Sequence, residues 1–149
     1  MNDKGLYKVG FAAAILSTIG WVVYILGSTG SPDTSGIAGQ QFFQTLEDAR
    51  STYLLYGWGG LIGASMTIPY VLAFHRATRN EGTVRSLATI TAILGAVLTS
   101  LGFMGTLTNV YIFVPAAIEA TPDQAAIMQI ASQFAGDVFE VPWFLGSFL

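Results

Sequence analysis

The sequence predicts an all-α fold, a polytopic bundle of transmembrane helices with short amphipathic helices in its outer loops. Charged residues make up 10% of the 149-residue chain, against about 25% in an average soluble domain. Apolar residues make up 52%, and they gather in runs long enough to cross a bilayer. We therefore expect a single transmembrane domain over residues 1–149, with lipid as its solvent.

Three uncharged apolar runs are predicted to cross the membrane, at residues 9–28, 52–74 and 87–114. A crossing helix needs about 20 apolar residues, so each run is long enough. The third run exceeds that length and is expected to tilt. The basic start at Lys4 and Lys8 also suits a cleaved signal peptide, whose apolar core is about 7–15 residues long. The first run is longer than that, which favours a retained span.

A fourth apolar run begins at about Val138 and reaches Leu149, where the sequence stops. It is too short to cross a bilayer by itself, and no polar cap follows it. We expect this run to be the beginning of a fourth span that the sequence truncates.

The basic residues predict the orientation of the chain. Cytoplasmic loops of membrane proteins carry an excess of Lys and Arg. If the spans alternate in direction, one side of the membrane holds only Arg50. The other side holds Lys4, Lys8, Arg76, Arg79 and Arg85. This asymmetry predicts a multi-pass protein of the cell membrane with its N-terminus in the cytoplasm.

The two segments on the outer side resemble helix starts, at 31–33 (Ser-Pro-Asp) and 121–123 (Thr-Pro-Asp). Each combines a hydroxyl N-cap, a proline at the first helical position and an acid in the first turn. Gln124 completes a capping box in the second segment. Apolar residues then recur at helical spacing, which predicts amphipathic helices on the outer surface over 31–50 and 121–134. A weak match at an offset of 90 residues leaves an internal repeat open.

Composition excludes several kinds of chemistry. The chain has no cysteine, so it has no disulfide, thiolate metal site or iron–sulfur cluster. Its one histidine, His75, cannot form a two-histidine haem site within one chain, and the net charge of −3 disfavours nucleic acid as a partner. We expect no cofactor, no metal centre and no catalytic residue, with the lipid bilayer as the partner.

Glycines mark two candidate packing faces. Gly59 and Gly63 form a GxxxG pair in the second run, and Gly95 and Gly102 lie in the third run. Small residues at this spacing let two helix backbones approach closely in lipid. Packing within the chain is the favoured interpretation, because a multi-pass chain must pack its own helices first. A homo-oligomer seam is the alternative.

Asp137 and Glu140 form the candidate proton or cation site. They lie three residues apart and share one face of a helix, at the entrance to the fourth apolar run. A carboxylate taken into lipid is costly unless it is paired or protonated. The favoured interpretation is that both acids lie at the wet outer interface, and Arg50 can hold Glu140 charged. If the face points into the bundle, its nearest polar neighbours are Thr106, Thr108 and Asn109 in the third run.

The order of these elements resembles bacterial multi-pass membrane families of the domain-of-unknown-function type. The resemblance covers nearly the whole chain, rests on layout, and implies further spans. It brings no activity and no functional residues. The matching stretches are 9–28, 31–50, 52–74, 75–85, 87–114 and 121–134.

The sequence therefore favours a non-enzymatic membrane protein, either transporter-like or a structural or sensory component. The alternative is a membrane-embedded enzyme acting on a lipid or small hydrophobic substrate. An enzyme is expected to gather titratable residues at one membrane depth. Only Asp137 and Glu140 approach that arrangement, and the sequence places no basic partner beside them.

Overall fold

The structure, a computed structural model, describes residues 3–78 and 82–148. It confirms the all-α class, since the described ranges contain helices and no strand. The helices are α1 (Asp3–Thr29), α2 (Gln40–Asp48), α3 (Arg50–Ala77), α4 (Thr83–Thr108), α5 (Val114–Ile118) and α6 (Pro122–Phe148), with a π-helical turn (Asn109–Phe113) joining α4 to α5.

Three helical stretches are long and apolar enough to cross a membrane: Lys4–Thr29, Arg50–Ala77 and Thr83–Ile118. Each contains one of the three uncharged runs. The last stretch joins α4, the π turn and α5 into 36 residues, or about 54 Å at the rise of an α-helix. That length exceeds a hydrocarbon core of about 30 Å, so the stretch has to tilt or project beyond the lipid.

The long helices form a row, in which α1 packs on α3, α3 on α4, and α4 on α6. The short helices α2 and α5 pack together at the end of the row opposite the N-terminus, which we call the α2 end. Phe43, Val114 and Ala117 are fully buried between them. The three apolar side chains hold α2 against α5.

The first outer segment differs from its prediction, because no helix begins at Ser31. The Asp33 carboxylate instead accepts a hydrogen bond of 2.8 Å from the Ser35 backbone N–H, and bonds from Ser35 lower the pKa of Asp33. Gly36 and Gly39 then adopt positive φ angles of 77° and 61°, a conformation that glycine tolerates best. The chain turns twice, and α2 begins only at Gln40.

The second outer segment forms the predicted capping box. The Gln124 side-chain oxygen accepts the Thr121 backbone N–H at 3.0 Å, and the Thr121 hydroxyl accepts the Gln124 backbone N–H at 3.5 Å. The helix then continues without a break to Phe148, so the predicted surface helix and the run from Val138 form one helix. Gly136 costs only about 1 kcal/mol in a helix interior, which is too little to end a helix packed along α4.

Candidate functional site

The GxxxG pair brings α1 and α3 into backbone contact. A methyl group added at Gly59 would lie 2.5 Å from the Tyr24 backbone nitrogen, and one added at Gly63 would lie 3.1 Å from the Trp21 ring. On the facing helix, a methyl group at Gly20 would lie 2.5 Å from the Gly63 nitrogen. This small-residue face is therefore occupied within the chain.

The second set of glycines brings α4 and α6 together and fixes their register. Added at Gly102, a methyl group would overlap the Trp143 Cβ atom. One at Gly105 would lie 2.7 Å from the Phe139 Cβ atom. Near the C-terminus of α6, a methyl group added at Gly146 would lie 2.6 Å from the backbone oxygen of Gly95. The two helices consequently run antiparallel at close range along most of α6.

This register sets the depth of Glu140, which lies between Phe139 and Trp143 and is therefore level with the stretch from Gly102 to Gly105. Gly105 lies nine residues before Val114, the last residue of the third uncharged run. Nine helical residues span about 14 Å. Glu140 is thus level with the last two turns of α4, about 14 Å before the end of the third uncharged run.

The π turn places a polar group beside α6. The Asn109 side-chain oxygen accepts a hydrogen bond of 2.8 Å from the Ser132 hydroxyl, and Ser132 is almost completely buried. π-Helical turns occur mostly as short insertions within α-helices, often at functional sites. Here the turn lies directly above the stretch of α4 that faces the two acids.

An open cleft of about 420 Å³ lies between α3, α4 and α6, with α2 at its upper edge. Asp137 and Glu140 both line it, and both side chains are exposed. No Lys, Arg or His is among the residues that line the cleft in the described part of the chain. The lining consists of Phe42, Tyr56, Gly102, Phe103, Gly105, Thr106, Asn109, Ser132, Gln133, Gly136, Asp137, Glu140 and Trp143.

Arg50 does not neutralise the acids of the cleft. Its guanidinium donates to the Glu47 carboxylate at 3.0 Å and 3.2 Å, within one turn of chain. Asp137 and Glu140 have no hydrogen-bond or ion-pair partner within residues 3–78 and 82–148.

The polar neighbours expected in the third run divide into two groups. Thr106 and Asn109 line the cleft with the two acids. Thr108 is not among the lining residues, and its hydroxyl donates to the Met104 backbone oxygen at 2.7 Å. The acids therefore share the cleft with one hydroxyl and one amide from this part of the chain.

Aromatic rings form one wall of the cleft. Phe103 is almost fully buried, and its ring centroid lies 5.6 Å from that of Tyr56, 5.3 Å from Tyr24 and 6.2 Å from Trp21. All three contacts are edge-to-face, the arrangement that ring quadrupoles favour. Sequence reasoning missed this cluster because its members come from α1, α3 and α4, and no spacing along the chain connects them.

His75 lies away from the cleft, near the other end of α3. Its Nδ1 atom and the Thr89 hydroxyl are 2.6 Å apart, so the ring ties α3 to α4. In the described ranges no group of three or more His, Cys, Asp or Glu side chains could hold a metal ion.

Comparison of the chain with protein-family models, with curated proteins and with solved structures finds no match. Fold and cleft nevertheless define a class of protein. It is an all-α chain with three helices able to cross a membrane and an acid-lined cleft beside them. The chemistry of the cleft carries the functional conclusion.

Proposed function

We propose that the chain is a transporter-like integral membrane protein that binds a cation in the cleft. One observation carries the proposal. Asp137 and Glu140 share a cleft beside the last two turns of α4, within the third uncharged run, without a basic partner in the described ranges. An acid taken into the hydrocarbon region costs up to about 3 kcal/mol. A bound cation offsets that cost, and intramembrane acids commonly mark ion or substrate pathways.

The cleft lies toward the α2 end, which the proposal places outside the cell. Lys4, Lys8, Arg76 and Arg85 all lie toward the opposite end, which by the positive-inside rule is cytoplasmic. The N-terminus is then cytoplasmic, the membrane is the cell membrane, and the cation enters from outside.

Binding is favoured over catalysis by the composition of the cleft. A membrane enzyme acting on a lipid needs a nucleophile activated by a base, or an acid and a base in distinct environments. The lining residues offer two similar carboxylates and no His or Lys within the described ranges. No observation favours the enzyme.

The test is ligand-induced stabilisation of the protein in lipid nanodiscs. A ligand that binds only the folded state raises the unfolding temperature as its concentration rises. We would titrate sodium, calcium and benzyltrimethylammonium chlorides at constant ionic strength. At least one of these cations should stabilise the wild type, and the double variant D137N/E140Q should lose that response.

Glu119 provides the matched control, because it is an exposed acid outside the cleft. The E119Q variant should respond like the wild type. Equal responses of D137N/E140Q and the wild type, or no response to any cation, would refute a cation site in the cleft.

A further inference from the structure

The proposed function leaves open which kind of cation enters the cleft. We infer that the cleft takes an organic ammonium ion with an apolar body and not a metal ion. The inference rests on the proposed function and adds the chemical class of the ligand.

The size of the cleft is the first argument. A volume of about 420 Å³ falls within the range of about 300–1,000 Å³ typical of small-molecule sites. Calcium binds 6–8 oxygen atoms at about 2.3–2.6 Å, which requires ligands that converge on one point. The cleft instead offers two carboxylates from one face of α6, and no group of three or more His, Cys, Asp or Glu side chains that could hold a metal ion occurs in the described chain.

The rings around the cleft are the second argument. Aromatic side chains line it from four helices: Phe42 from α2, Tyr56 from α3, Phe103 from α4 and Trp143 from α6. Phe42 and Phe103 are buried, whereas Tyr56 and Trp143 are half-buried, so the latter two rings are the ones that a ligand can reach. An alkylated ammonium ion is attracted to the faces of aromatic rings. Because water binds it weakly, removing that water costs little free energy. A small metal ion, by contrast, either keeps its bound water molecules or exchanges them for oxygen ligands of the protein.

The distribution of charge is the third argument. Both carboxylates belong to α6, whereas Tyr56 and Phe103 lie on α3 and α4. Glu140 and Tyr56 line the same cleft, so its charged and aromatic sides face one space. A ligand with its ammonium group beside the acids and its apolar body against the rings satisfies both.

The experiment compares benzyltrimethylammonium with sodium and calcium in the nanodisc titration. We expect benzyltrimethylammonium to stabilise the protein at concentrations at least tenfold lower than either metal ion. The Y56L variant should weaken its binding about tenfold, whereas Y56F, which keeps the ring, should not. W58L is the matched control, because Trp58 lies outside the cleft and donates to the Tyr111 hydroxyl at 3.1 Å.

The outcomes separate the two proposals. Stabilisation by sodium or calcium alone, lost in D137N/E140Q, would overturn the organic ligand and leave the cation site standing. No stabilisation by any cation would refute both. If benzyltrimethylammonium binds equally well to Y56L and the wild type, the aromatic argument is wrong. Circular dichroism of each variant verifies that it remains folded.

Discussion

Glu140 and Tyr56 line the same cleft from α6 and α3, two helices that both pack on α4. Neither α3 nor α6 can form the site alone, because α4 supplies the floor between them. The acids and the rings therefore come together only after α4 has packed against both neighbours.

The contact between α4 and α6 depends on the absence of a side chain at Gly102. Replacing it with alanine forces a methyl group into Trp143, and overpacking of this kind costs about 1–3 kcal/mol. We expect G102A to lower the unfolding temperature in nanodiscs. G136A is the matched control, because a methyl group there meets nothing within 4 Å and alanine favours the helix. If G136A destabilises as much as G102A, the register of α6 is wrong.

The contact between α1 and α3 depends on Gly59 in the same way. A methyl group there would meet backbone atoms of α1 at 2.5 Å and 2.9 Å, and backbone cannot move aside cheaply. G59A should lower thermal stability and leave the oligomeric state, measured by light scattering, unchanged. G82A serves as the control, since that position is open. A loss of oligomers without a loss of stability would support the seam between copies.

Orientation can be measured by cysteine labelling, and the chain has no native cysteine to interfere. The variant S35C should react with an impermeant thiol reagent added to intact cells. The variant G82C should react only after the membrane is permeabilised, because the basic end is cytoplasmic. Labelling of G82C in intact cells would reverse the proposed orientation.

Gln129 attaches the segment before α2 to α6. Its side-chain oxygen accepts the Gly39 backbone N–H at 2.6 Å, and its side-chain nitrogen donates to the Ile37 backbone oxygen at 3.2 Å. Replacing Gln129 with leucine leaves these two backbone groups without a partner. Each such group that is buried lowers the free energy of unfolding by about 1–3 kcal/mol. We expect Q129L to speed hydrogen exchange across residues 37–48. Q41A, at an exposed position of α2, should exchange like the wild type.

The long helices could be predicted from the sequence, because a long uncharged apolar segment in lipid has to form its backbone hydrogen bonds internally, as a helix does. The depth of Glu140 could not, because it depends on pairing with α4 and not on the apolar run that begins at Val138. Counting from Val138 puts the acid at the entrance of an apolar run, whereas the glycine contacts put it beside the last two turns of α4. The spacing of Gly59 and Gly63 likewise indicated a packing face. It could not identify α1 as the helix that packs there, because the partner depends on the tertiary fold.

The π turn determines how the helix faces before and after it are oriented relative to each other. Each residue of an α-helix advances the direction of the side chains by about 100°, and a π turn holds about one residue more than an α turn. Thr106, before the turn, faces the cleft, whereas Val114, after it, packs against α2. Deleting one residue from Asn109–Phe113 would rotate one of these faces away from its partner. The length of this segment therefore constrains the fold independently of its sequence, and we expect related chains to vary here by substitution and not by insertion or deletion.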